Sequence, residues 1–308
     1  MARILITEFM DTPAVAQLQR THDVHYAPRL VDQPDALLRE AAVAEVLIVR
    51  NRTQVRGELL DALECCSLVG RLGVGLDNID VAGCEARGMQ VVPATGANAL
   101  SVAEYVIGTA MLLLRGAYQS NETMLRGLWP RNVLSQGREI HGKTLGLIGF
   151  GSIGQSTARL AQGVGMRVQA HDPLMGEGHP AFLATGVMCV ELDELLASSD
   201  VISLHVPLLQ STRHLMNAVR LAQLKRGAIL INSARGGVID EPALVAALQS
   251  GLLAGAALDV FEDEPLQAVN PFVGCPNVVL TPHIAGVSIE SNQRVSEMIV
   301  HKVLEALA

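Results

Sequence analysis

Short runs of β-branched and aliphatic residues alternate along this chain with longer stretches whose apolar positions recur every three or four residues. In the first hundred residues "RILITEF", "EVLIVR", "SLVGRLG" and "MQVVPAT" read as strands, separated by segments rich in Ala, Leu and Glu. Strands alternating with helices predict βαβ units and a parallel sheet. A long helix is predicted over about 101–127, with Ser101 as N-cap and Glu104 completing a capping box. A second alternation follows through "TLGLIGF", "RVQAHD", "VISLHV", "AILINSA", "GAALDV" and "NVVLTPH". Six strands with helices between them describe a complete doubly wound sheet. The stretch "SIESNQRVSEMIVHKVLEAL" adds one more helix. The expected fold is α/β with two doubly wound domains, and the long helix and the last one are natural crossings between them.

Composition narrows the class. A chain of 308 residues is long enough for two cores, and 49% hydrophobic against 18% charged residues is a globular balance. With only 3% aromatics, the core must be Ala, Val, Leu and Ile, the mixture of buried parallel strands flanked by helices. A formal net charge of −8 argues against nucleic acid or a membrane surface as partner. Of the five cysteines, Cys65 and Cys66 are adjacent and no CxxC spacing occurs, so they read as apolar fillers in a reducing compartment. Neither a disulfide frame nor a metal site is expected. Glu8 interrupts "MARILITEFM" where a signal peptide would stay apolar, and the run "YVIGTAMLLL" is too short to cross a membrane. A cytoplasmic location is expected.

The stretch "LGLIGFGSIGQSTARLAQGVGMRVQAHDP" contains Gly149, Gly151 and Gly154 in GxGxxG spacing. It follows an apolar strand, opens a helix and is answered by a second strand ending in Asp172. That context, more than the glycines alone, predicts a dinucleotide site. The glycines let backbone N–H groups approach a pyrophosphate, which the helix N-terminus also favours. Asp172 would accept hydrogen bonds from the adenosine ribose diol and repel a 2′-phosphate, so NAD is the expected cofactor.

Three further strand ends of this sheet carry reactive residues: "INSARGG" with Arg235, "LDVFEDEP" with Asp259 and Glu264, and "LTPHIAG" with His283. Ligands of an open parallel sheet lie at the carboxyl ends of its strands, so the three segments are expected to converge. An arginine offers a planar fork to a carboxylate, and a histidine beside a carboxylate gains basicity and a fixed tautomer. An anchor, a proton acceptor and its tuning partner are what oxidation of a 2-hydroxy acid needs.

With these residues in view, the chain resembles the D-isomer-specific 2-hydroxyacid dehydrogenase family, and within it the phosphoglycerate-dehydrogenase-like branch. The resemblance runs through "GRLGVGLDNIDV", "GANALSVAEYVIGTAMLL", "GKTLGLIGFGSIG", "HDP", "LHVPLLQSTRHLMN", "LKRGAILINSARGGVIDEPALVAAL", "ALDVFEDEP" and "LTPHIAG". It implies Arg235, Glu264 and His283 as the catalytic trio. Asp259 would bind the nicotinamide carboxamide, and the backbone around Val74 and Gly75 the substrate carboxylate. Ser152, Ile153, Ser233, Ala234 and Gly286 would complete the cofactor contacts. The family also implies a Rossmann NAD-binding domain, 99–286, inserted into a discontinuous flavodoxin-like substrate domain, 1–98 plus 287–308. Homodimers would form through the cofactor domains.

The substrate class follows from the first domain. "LIVR" and "LVGR" end in Arg50 and Arg71, and period-two geometry puts Arg52 on the same side as Arg50. A lactate-like acid needs one carboxylate site, so additional arginines suggest a second anion at C3, phosphate or sulfonate. D-3-Phosphoglycerate and (S)-3-sulfolactate both fit, and "ILITEFMD", "VRNRT" and "GLWPRN" resemble the sulfolactate enzymes of the family. Hydroxypyruvate or glyoxylate reduction is an alternative, as is a non-catalytic NAD-sensing interaction protein on the same fold. Formate dehydrogenases resemble this pattern too, but carry glutamine where Glu264 stands.

Overall fold

The computed structural model describes residues 1–308 apart from the Gln119 side chain. The chain divides into two compact units, Met1–Asn98 with Val287–Ala308, and Ala99–Gly286. The first holds five parallel strands: β1 (Arg3–Ile6), β2 (Asp23–Tyr26), β3 (Val46–Val49), β4 (Leu68–Arg71) and β5 (Gln90–Pro93). Their order, β2-β1-β3-β4-β5, is the flavodoxin-like winding. Strand periodicity sorts the side chains between two cores. Ile4, Ile6, Val46 and Ile48 face one layer, whereas Leu5, Leu47 and Val49 face the other. Both faces of the central strand are covered, which is why β3 is apolar throughout.

The terminal helix, Ile289–Ala306, lies on the first of these layers through Val295, Ile299, Val300 and Val303. Its entry is set by Ser288, whose side chain accepts the Ser291 N–H at 3.0 Å. Gly70 on β4 admits the helix: a Cβ there would stand 3.1 Å from Ile299 Cγ2. The last turns of the chain are thus part of the first unit's core, roughly 1.5–3 kcal/mol for each such side chain buried.

The second unit holds β6 (Thr144–Ile148), β7 (Arg167–His171), β8 (Met188–Cys189), β9 (Val201–Leu204), β10 (Ala228–Asn232), β11 (Leu253–Leu258) and β12 (Val278–Leu280). The sheet is parallel in the order β12-β11-β10-β9-β6-β7-β8. Counted from β6, that is the Rossmann winding with a seventh strand beyond the sixth. The winding reverses between β6 and β9, so the loops after these strands flank the switch point. The helix Ala99–Arg115 covers one face through Val106, Ile107, Ala110, Leu113 and Leu114.

Two expectations are corrected. The long helix runs Ala99–Arg115, so Ser101 is its third residue and not its N-cap. It stops because Gly116 takes a left-handed conformation (φ 66°), its N–H bonded to the Leu112 carbonyl at 2.9 Å. Residues 117–134 fold instead as three short helical turns, Ala117–Gln119, Asn121–Leu125 and Arg131–Leu134. The strands β2 and β8 also escaped the sequence pattern. β2 is an edge strand with alternate residues exposed, and β8 has two residues. Among the described residues no helix is long and apolar enough to cross a membrane.

Ile299 is fully buried. Ile299→Ala is expected to destabilise the protein by about 2–5 kcal/mol, the usual loss for a core truncation. Urea denaturation of the two proteins checks this.

Candidate active site

β6 delivers the chain into the glycine turn. Gly149 sits at φ 95°, and a Cβ on it would strike the backbone carbonyl of His205 in the loop after β9. Gly154 packs so closely on the Gly149 carbonyl that a Cβ would stand at 2.5 Å. Gly151 faces open space and caps the helix Ser152–Gly163 without a side-chain hydrogen bond. The N–H groups of its first turn, at Ser152 and Ile153, are therefore placed for an anion. Asp172, just beyond β7, accepts the Phe150 N–H at 2.8 Å and the Leu174 N–H at 3.0 Å. The carboxylate retains lone pairs for a diol. Ser233 Oγ and His205 Nε2, beyond the ends of β10 and β9, are buried polar atoms without a protein partner. These residues fit a dinucleotide: a phosphate cradle, a ribose acceptor and covered polar atoms at the neighbouring strand ends.

The reactive residues follow the neighbouring strands. Asn232, buried at the end of β10, accepts the Ala234 N–H at 3.1 Å and donates to the Arg235 carbonyl at 2.9 Å. Arg235 Nη1 donates to the Ala234 carbonyl at 2.6 Å. Gly236 lies against the Phe261 backbone, where no Cβ would fit, so the loops after β10 and β11 touch. Glu264 Oε1 accepts the Phe261 N–H at 3.1 Å and Oε2 meets His283 Nδ1 at 2.7 Å. Burial pushes the Glu264 carboxyl up, but the His283 hydrogen bond, the Phe261 N–H and the charges of His283 and Arg235 outweigh it. The net pKa lies below the ordinary glutamate value.

Asp259 organises the third segment. It is 1% exposed, with Oδ1 accepting from Thr281 Oγ1 at 2.6 Å and Ile284 N at 2.8 Å, and Oδ2 from Ala285 N at 2.7 Å. Its own carbonyl takes the His283 N–H at 2.8 Å. His283 is held at φ 56°, a region that a residue with a Cβ occupies only when its surroundings impose it. Tyr105 on the long helix extends the chain, its hydroxyl 2.8 Å from Thr281 Oγ1. Beside the carboxamide expected of it, Asp259 thus holds three donors of the histidine turn.

In the first unit Arg71 ends β4 and Arg50 follows β3, the two strands pairing Val49 with Arg71. Arg50 Nη2 donates to Asn292 Oδ1 at 2.7 Å, and its guanidinium lies 5.9 Å from the Phe9 ring centroid. Arg52, 58% exposed, pairs with Asp32. Arg71 Nη1 donates to the Leu72 carbonyl at 2.9 Å. The segment 51–53 bends instead of running extended, so period-two geometry does not govern it, and Arg50 and Arg52 meet different partners. Val74 and Gly75 follow β4 in the same unit.

Residues 107–285 match the family model "D-isomer specific 2-hydroxyacid dehydrogenase, NAD binding domain". The chain belongs to the D-isomer-specific 2-hydroxyacid dehydrogenase family. It is 50% identical to the (S)-sulfolactate dehydrogenase of Chromohalobacter salexigens over 307 residues, covering 100% of this chain and 99% of that protein. It is 39% identical to the D-3-phosphoglycerate dehydrogenase of Methanocaldococcus jannaschii over 97% of this chain and 56% of that longer protein. The crystal structure of the TT0316 protein from Thermus thermophilus superposes with a TM-score of 0.89 at 33% identity, covering 99% of this chain and 96% of that one. The protein is thus an NAD-dependent 2-hydroxyacid dehydrogenase.

In this dehydrogenase the supporting residues were the ones the sequence reading missed. Asn232, Thr281, Tyr105 and His205 all lie inside the recognised motifs, yet only contacts give them roles. His205 retains some surface, but Nε2 is covered, and burial pushes its pKa down to about 4. The unfolded chain then takes up a proton near pH 6.5 that the folded protein refuses until about pH 4. Stability is full above that window and falls as pH drops through it. In the cofactor-free protein, His205→Gln is expected to make the loss of Tm between those pH values shallower, by roughly a few degrees. Thermal scans of both proteins across the window check it.

Proposed function

We propose that this dehydrogenase interconverts (S)-3-sulfolactate and its 2-oxo acid with NAD, with Arg235, Glu264 and His283 as catalytic residues. The observation that carries the chemistry is the 2.7 Å contact of His283 Nδ1 with Glu264. With Nδ1–H donated to the carboxylate, Nε2 carries the lone pair and takes the substrate hydroxyl proton. The bound nicotinamide supplies the hydride acceptor. Arg235 forks onto the C1 carboxylate. Asp172 favours a ribose diol over a 2′-phosphate, and so NAD over NADP.

The choice of sulfolactate is supported by the full-length likeness to the Chromohalobacter enzyme and by the arginines Arg50, Arg52 and Arg71. In this reading the first unit is the substrate domain, its arginines take the second anion and the protein works in the cytoplasm. A homodimer through the cofactor-binding unit accounts for Leu125, Leu128, Trp129 and Val133, apolar side chains left exposed beyond the long helix. A spectrophotometric screen of 2-hydroxy and 2-oxo acids with NAD and NADP tests the assignment. Sulfolactate should lead, and phosphoglycerate in first place would transfer the site to the phosphate ester.

Two variants separate the roles. His283→Ala should lower turnover on the order of 10²–10⁴-fold, the usual contribution of a general acid/base, in stopped-flow or steady-state assays. Near-normal turnover would remove His283 from the mechanism. Arg52→Ala should cost roughly tenfold to a hundredfold in kcat/KM for sulfolactate, as expected for one charge-assisted hydrogen bond, but little for glycerate. Equal losses on the two acids would sink the second-anion site.

A further inference from the structure

We propose that Glu8 is a positioning residue for recognition of the second anionic group, acting through the turn Arg50–Thr53. This rests on the reading that the arginines of that turn hold a sulfonate. Glu8 follows β1 and the turn follows β3, adjacent parallel strands at the centre of the first sheet. In the winding β2-β1-β3-β4-β5 the direction of strand progression reverses between these two, and ligands of such sheets collect at the carboxyl ends beside the reversal. The Arg50–Thr53 turn therefore occupies the ligand position of its own sheet.

Glu8 is 4% exposed. Its Oε1 accepts the Arg50 and Thr53 N–H groups, each at 2.9 Å, and its Oε2 accepts the Arg52 N–H at 3.1 Å. The other side of the turn is held as firmly. Asn78, also buried, donates its amide to the carbonyls of Arg50 at 3.1 Å and Thr53 at 2.7 Å, and Thr7 Oγ1 lies 2.9 Å from Thr53 Oγ1. A surface turn can satisfy its backbone with water, whereas burying a carboxylate is costly unless its hydrogen bonds are made. Here half of the bonds fall on Arg50 and Arg52, whose side chains are cationic, and the rest on neighbouring Thr53. The backbone is fixed while the Arg52 guanidinium remains exposed and tied to exposed Asp32, a kind of pair that holds weakly in water. An incoming sulfonate can displace Asp32 without moving the turn, and a preorganised turn loses less freedom on binding.

The test is steady-state kinetics of the full-length enzyme with NAD on (S)-3-sulfolactate and D-glycerate, for wild type and Glu8→Gln, Glu8→Asp, Asn78→Ala and Arg52→Ala. Glu8→Gln replaces an acceptor oxygen with an NH2 group facing an N–H. It should raise KM for sulfolactate roughly tenfold or more, leave kcat within about twofold and spare glycerate. Glu8→Asp should recover part of the loss, and Asn78→Ala should repeat the selective pattern. NADH binding followed by fluorescence should be unchanged in each, since the cofactor contacts belong to the other unit. Equal losses on both acids, or no loss, in Glu8→Gln and Asn78→Ala while Arg52→Ala stays selective would overturn the role of Glu8 and leave the second-anion reading standing. An unselective Arg52→Ala would overturn both. Should Glu8→Gln fail to fold, Asn78→Ala alone decides.

Discussion

The candidate site depends on a buried carboxylate that faces a tight turn. Asp259 gathers the Thr281 hydroxyl and the N–H groups of Ile284 and Ala285, while its carbonyl takes the His283 N–H. A left-handed histidine does not persist unaided, because the Cβ crowds its own backbone. Four hydrogen bonds from one residue meet that cost and aim the imidazole at Glu264. Glu264 in turn is fixed by the Phe261 N–H, two residues beyond Asp259 along the same loop. The histidine and its partner are therefore both held by one short stretch of chain, 259–264.

That stretch can serve catalysis only because the sheet is parallel. All seven strands of the second unit end on one side, so the glycine turn after β6, Asp172 after β7, Arg235 after β10, Asp259 after β11 and His283 after β12 issue from one edge. The same device recurs in the first unit, where Glu8 after β1, Arg50 after β3 and Arg71 at the end of β4 share an edge. In both units a buried carboxylate gathers the N–H groups of a turn that carries a candidate site residue. Carboxylates suit this task because each offers about four acceptor sites and no donor.

The alternation of strands and helices, the glycine spacing and the acid after the second strand were legible because each is a local pattern with one physical meaning. β3 and β10, buried at every position, announced themselves through long apolar runs. β2 did not, since as an edge strand its "DVHY" exposes alternate residues, and β8 is too short for any periodicity. Ser101 and Glu104 have capping-box spacing, but the helix had already begun at Ala99, and only the tertiary path of the chain decides between them. Arg235, Glu264 and His283 could be named from their place at strand ends, yet the contact between Glu264 and His283 depends on loops whose course no spacing encodes. Glu8 was visible as a charge ending an apolar strand. Its meaning lay in three N–H groups more than forty residues away.

An acidic chain with a formal charge of −8 that takes an anionic substrate faces a general repulsion. Attraction must then be local, from arginines close enough to outweigh the distant acids within a screening length of about 8–10 Å. In the proposed reading different residues meet the different groups of the substrate. The C1 carboxylate and C2 hydroxyl occur in every 2-hydroxy acid, and in that reading Arg235 and His283 deal with these features that never vary. The group at C3 distinguishes one acid from another, and in the same reading it falls to the turn Arg50–Thr53. Because Glu8 and Asn78 hold the backbone of that turn, its side chains could be exchanged without disturbing the hydrogen bonds that shape it. A family that shares one reaction among many acids needs that separation: the turn can change its cations while Asp259 keeps the histidine where the reaction requires it.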